Sequence, residues 1–87
     1  MKKKLGVIGI LIEDRVHVAA KVNKILSQYG DVILGRLGLH RKECDTGIIS
    51  IIVEATTDTI GALTGKLGQI KGVTVKSVVT GKDKDGG

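Results

Sequence analysis

Residues 5–12 read LGVIGILI. Eight residues is the length of a strand, and both alternating faces are apolar. Leu5, Val7 and Leu11 fall on one face, Ile8, Ile10 and Ile12 on the other. Such a run belongs inside a sheet rather than at its edge. Residues 47–55 (GIISIIVEA) repeat the pattern, with Ile49, Ile51 and Val53 set against Ile48 and Ile52. Two interior strands are therefore separated by about 35 residues, and the fold depends on what joins them.

Working outward, Asp14 stands where a helix N-cap belongs. Over residues 15–29, Val18, Val22, Ile25 and Tyr29 recur at helical spacing and share one face, and Gly30 fits the C′ position beyond the helix. Residues 31–40 (DVILGRLGLH) alternate loosely around Arg36 and two glycines, which suits an edge strand. Residues 41–46 (RKECDT) read as a hairpin connection. A second helix is expected over 56–71, with Ile60, Leu63, Leu67 and Ile70 on one face, Thr57 or Asp58 as N-cap and Gly72 as its stop. Residues 73–80 (VTVKSVVT) form the last strand, with Lys76 and the threonines on its wetter side.

The order β-α-β-β-α-β specifies an α+β, ferredoxin-like sandwich: a four-stranded antiparallel sheet with two helices on one face. It predicts one domain over residues 5–80, a basic extension over 1–4 and a charged, glycine-rich tail over 81–87. Two helices cover one face of such a sheet only. The strands nevertheless carry apolar side chains on both faces, and an uncovered apolar patch of a few hundred Å² marks an interaction surface. A homo-oligomer, dimer or tetramer, is therefore expected, with Ile8, Ile10, Ile48 and Ile52 taken as interface residues.

Composition narrows the function. The chain has 87 residues, one aromatic (Tyr29), 21 Ile and Val, 13 Gly and no Pro. A single ring excludes modules that stack bases on aromatic platforms. One cysteine, Cys44, excludes a disulfide scaffold. The net charge is +5, of which Lys2, Lys3 and Lys4 supply three, while residues 5–81 carry only +2. Direct nucleic-acid binding is thus not expected. The apolar run after the N-terminal lysines is too short to span a bilayer and has no export cleavage site, so no membrane association and a cytoplasmic location are expected.

The segment 58–76 (DTIGALTGKLGQIKGVTVK), with 33–38 (ILGRLG) and 12–15 (IEDR), resembles the regulator family associated with iron-only hydrogenase systems. The resemblance covers roughly residues 5–80, and members of that family resemble ACT domains and the C-terminal domain of the nickel-responsive ribbon-helix-helix repressor. It implies an ACT-like fold and a regulatory, ligand-sensing role. By analogy with ACT domains it also implies an effector position at Glu13, Asp14, Arg15 and His17. Two departures bear on ligands. The Asp-Arg of ACT first loops usually continues as Pro-Gly, but here Val16-His17 follow, so a standard amino-acid site is not expected. Cys44 stands near the nickel domain's cysteine, but Arg36 and Gly38 replace its histidine pair, so that nickel site is not expected either. No ribbon-helix-helix segment precedes residue 5, so DNA binding would need another chain.

Other candidates come from the residues themselves. Gly61, Gly65 and Lys66 imitate a phosphate loop but are one residue short of it, and Leu67 replaces the required hydroxyl. Gly61, Gly65 and Gly68 instead form a stripe on one helix side. Each glycine costs a helix roughly 1 kcal/mol against Ala, which points to close packing or an interface there. His40 and Cys44 flank the hairpin as H-x-x-x-C, two soft-metal ligands short of a closed site. Arg41 and Lys42 beside Cys44 suit a redox-sensing thiol. A metal or redox sensor built on His40 and Cys44, or a structural partner of a maturation enzyme, are the alternatives to an effector-binding regulator. No cofactor is expected. No nucleophile–base set or carboxylate pair marks an enzyme.

Overall fold

The computed structural model describes residues 2–13 and 15–81, with the Arg15 side chain excepted. Asp14, expected as the helix N-cap, lies outside the described residues, as do residues 82–87 of the expected tail. The elements are β1 (Lys4–Glu13), α1 (Arg15–Gln28), β2 (Ile33–Arg41), β3 (Thr46–Ala55), α2 (Thr57–Gly68) and β4 (Val73–Val79). All pairings are antiparallel and the sheet order is β2-β3-β1-β4. The strands that are apolar on both faces are thus the central pair, and those carrying Arg36 and Lys76 are the edges.

The register fixes which face is which. Ile8 pairs with Ile51 and Ile10 with Ile49, and all four lie beneath the helices with at most 8% exposure. Val18, Val22 and Leu26 of α1 and Ile60, Leu63 and Leu67 of α2 close over them. Here the interface expectation is corrected. Ile8 and Ile10 are core, because the helices take their face, whereas Ile48 and Ile52 pair with Leu11 and Val7 on the opposite side. Alternation separates two faces of a strand but does not say which one the helices will cover.

Several element ends also differ from expectation. Thr56, not Thr57 or Asp58, caps α2: its hydroxyl oxygen accepts from the Thr59 N–H at 3.2 Å. The helix stops at Gly68, and the Gln69 N–H still reaches back to the Gly65 carbonyl at 3.2 Å. Gly30 opens a 3-10 turn, Gly30–Val32, instead of ending α1 in a left-handed cap. Leu26 joins the buried face of α1, while Ile25 and Tyr29 pack at its border. The hairpin holds a second 3-10 turn, Lys42–Cys44, closed by Asp45 in the left-handed region (φ 48°). An aspartate tolerates that conformation through its short polar side chain.

Gly72 is the one described glycine with positive φ, at 89°. It turns the chain from α2 into β4, and its carbonyl accepts the Glu13 N–H at 2.8 Å. A β-carbon placed there would sit 3.2 Å from the Glu13 carbonyl oxygen. Gly72→Ala is therefore expected to cost about 1–3 kcal/mol, because the backbone conformation and the space both exclude a side chain. Urea denaturation checks this, and an unchanged midpoint would contradict it.

Candidate functional site

The sheet face opposite the helices is uncovered. Ile52 and Val7, each flanked by a strand on either side, remain 48% and 47% exposed, and Leu11 is 46% exposed. No layer of the described residues lies above them. Cross-strand pairing arranges the face in three rows. One row runs Leu39, Ile48, Leu11 and Thr74, and the middle row Leu37, Ser50, Gly9 and Lys76. The third runs Gly35, Ile52, Val7 and Val78. Two apolar rows thus flank a centre of small residues. Leu37, Leu39 and Val78 are well-exposed large hydrophobic side chains on this face. Leu5 continues it, and an apolar hollow of about 270 Å³ opens there between Leu5, Val7, Ile52 and Val78.

On the helix side, β2 presents Arg36, Gly38 and His40, the residues whose partners on β3 are Ile51, Ile49 and Gly47. Gly38 and Gly47 have no side chains, and of the described side chains α1 brings Ala19 and Asn23 to this edge. The result is a second hollow of about 270 Å³, floored by Ile12 and Ile49. An Arg36 guanidinium nitrogen donates to Asn23 Oδ1 at 3.0 Å across it. At the other end, His40 Nε2 lies 3.4 Å from Asp45 Oδ1. Arg36 and Asn23 are not among the site residues expected from the sequence. The signal was the alternation Arg-x-Gly-x-His, which sets two polar groups either side of a gap on one strand face.

The residues expected as an effector site are only partly described. Asp14 and the Arg15 side chain lie outside the described residues. Glu13 and His17 are exposed, and neither lines the hollow between α1 and β2. The Cys44 thiol is exposed, with Sγ 3.9 Å from the Arg41 carbonyl. The Arg41 guanidinium turns instead to Glu43, 3.6 Å away. Among the described residues, no group of three or more His, Cys, Asp or Glu side chains is placed to hold a metal ion.

The glycine stripe is also not what close packing within the chain would give. A β-carbon added at Gly61, Gly65 or Gly68 meets nothing within 4 Å. The three glycines face a groove bordered by β4, and no neighbouring element among the described residues presses on them. Lys66, between them in sequence, sits over the Tyr29 ring at 5.1 Å, a cation–π contact, rather than facing a phosphate. Gly65→Ala is thus expected to raise stability by about 1 kcal/mol through helix propensity alone, seen as a higher urea midpoint. A lower midpoint would show that a second chain packs on the stripe.

A four-stranded sheet with two helices on one face and its other face bare defines an ACT-like sandwich. The sequence matches the TM1266-like family, described as "Iron-only hydrogenase system regulator, putative", over residues 4–77, and the chain belongs to that family. Among solved structures, it is similar to the uncharacterized protein TM1266 from Thermotoga maritima. The two are 41% identical with a TM-score of 0.87, over 90% of this chain and 98% of that one. It is also similar to the ACT domain from the GTP pyrophosphokinase of Chlorobium tepidum, at 22% identity and a TM-score of 0.74, covering 87% and 99%. A more remote likeness is the apo form of CPII, a nitrogen regulatory PII-like protein from Thiomonas intermedia, at 17% identity and a TM-score of 0.51, covering 93% and 97%. The last two likenesses bear on the fold alone. No curated protein shows a significant sequence match. Among the described residues, no helix is long and apolar enough to cross a membrane.

Proposed function

We propose that this chain is a regulatory, effector-sensing module of iron-only hydrogenase systems, and that it works as a homo-oligomer assembled through its bare sheet face. The observation that carries this reading is the half-exposure of Val7, Leu11 and Ile52 at the centre of the sheet. Four strands by about seven residues give a face of roughly 450 Å² in plan. Its side-chain relief brings it toward the ~800 Å² per partner of a standard interface.

The arrangement of the face favours a second copy as the occupant. A twofold axis along the Gly9–Ser50 row lays the Ile48–Leu11 pair of one copy on the Val7–Ile52 pair of the other. Both contacts are then apolar on apolar, and the small central residues let two twisted sheets approach to about 10 Å. A module that assembles this way keeps its helix side free to meet effectors. The role in hydrogenase systems is supported by the family match. By analogy with ACT domains, Glu13, Asp14, Arg15 and His17 are proposed as one effector position. Sedimentation equilibrium of the full chain tests the assembly, and a stable monomer at micromolar concentration would overturn it. Native mass spectrometry of the freshly purified protein tests for a co-purifying effector.

A further inference from the structure

The hollow between α1 and β2 has a chemistry that its surroundings do not use. Among the described residues, Arg36 is the only charged side chain that lines it, and it stands on the helix side of β2 between the helix layer and solvent. One guanidinium nitrogen donates to Asn23 Oδ1. No carboxylate among the described residues forms an ion pair with it. A guanidinium carries five donors in a planar fork, so the remaining edge is free to take a carboxylate in two parallel hydrogen bonds. The Asn23 contact fixes the fork from the α1 side, which lowers the ordering cost of binding.

We propose that this hollow binds a short-chain monocarboxylate, with its carboxylate on Arg36 and its stem over Gly38 against Ile12, Ile49 and Ala19. Three features set the class. First, about 270 Å³ is the liquid volume of about nine waters, which suits a carboxylate of three to six carbons. Second, the floor is aliphatic, so a stem of methylenes is favoured over a second charge. Third, the far end carries Asp45 beside His40, and a second anionic group there would meet that carboxylate. The ligand is therefore oriented with its acid toward Arg36, and a dicarboxylate is disfavoured.

This inference rests on the effector-sensing reading for its purpose, but its test does not. The full chain, labelled with nitrogen-15, is titrated with sodium butyrate and sodium hexanoate. Butyramide serves as the neutral match and inorganic phosphate as an anion without a stem. Expected are saturable amide shifts centred on Asn23, Arg36, Gly38 and Gly47 with the carboxylates only. Arg36→Gln should weaken binding by about tenfold or more, the loss of a charge-assisted hydrogen bond. Gly38→Val should abolish binding by filling the hollow. A β-carbon at position 38 meets only the Ile48 carbonyl at 4.0 Å, so the fold is expected to persist, and the spectrum reports this directly. Shifts that do not saturate, that survive Arg36→Gln unchanged, or that appear equally with phosphate would overturn the proposal. Sedimentation on the same samples reads assembly separately. Loss of carboxylate binding with assembly intact refutes this site alone, and a monomer that still binds refutes the assembly alone.

Discussion

Leu63→Ala is expected to lower the unfolding free energy by about 2–5 kcal/mol. Leu63 is fully buried on the inner face of α2 with Ile60 and Leu67, in the core cluster that also holds Ile8 and Ile51 of the central strands. The core has no aromatic residue, so each branched aliphatic carries a large share of the buried volume. Removing three carbons leaves a cavity that rigid strand neighbours cannot close. A domain of this length has about 4–13 kcal/mol of stability in total, so the variant should sit near its unfolding threshold at room temperature. Urea denaturation followed by circular dichroism measures it, at one protein concentration so that assembly does not confound the comparison. A loss under about 1 kcal/mol would mean that the helix is not seated as described.

The second large effect is on assembly. Ile52→Glu should abolish the proposed self-association without unfolding the chain. Ile52 is half exposed in the isolated subunit, so a carboxylate there stays hydrated when the chain is alone. In a twofold interface the same change occurs twice and buries two unpaired charges, each costing at least ~2 kcal/mol. The dissociation constant is expected to rise by about a hundredfold or more. Sedimentation velocity reads the result, and circular dichroism confirms an unaltered sheet. An oligomer that persists in this variant would place the interface elsewhere, with the α2 glycine stripe the next surface to test. The control is Lys76→Gln on the same face, which removes a rim charge and should leave assembly in place.

How much of this was readable from the chain differs from element to element. The sheet order followed from residues 5–12 and 47–55, because a strand apolar on both faces has to be interior in a four-stranded sheet. The existence of a bare face followed from counting helices against faces. Which residues line it did not follow, and Ile8 and Ile10 were placed wrongly. Strand periodicity is symmetric between faces, and the tie is broken only by the burial of Ile8 and Ile51 in one cluster with the apolar faces of α1 and α2. The α1–β2 hollow was harder still. Its walls are a helix and an edge strand distant in sequence, and its volume comes from atoms that Gly38, Gly47 and Ala19 do not have. The glycines of α2 gave a signal with a real physical basis, a repeated helix cost, but none of the described residues packs on them. The cap of α2 was missed by one residue because four consecutive positions, 56–59, offer oxygen-bearing side chains.

The Tyr29–Lys66 contact has a practical consequence. Tyr29 is the sole aromatic ring in the chain and lies at the junction where α1 ends and α2 crosses near it. Its emission therefore arises from a single place, with no tryptophan to drown it. A signal from that ring reports whether the two helices are closed on each other, separately from the circular dichroism of the sheet. Together the two probes turn any denaturation experiment on this protein into a test of whether helix layer and sheet come apart in one step or in two.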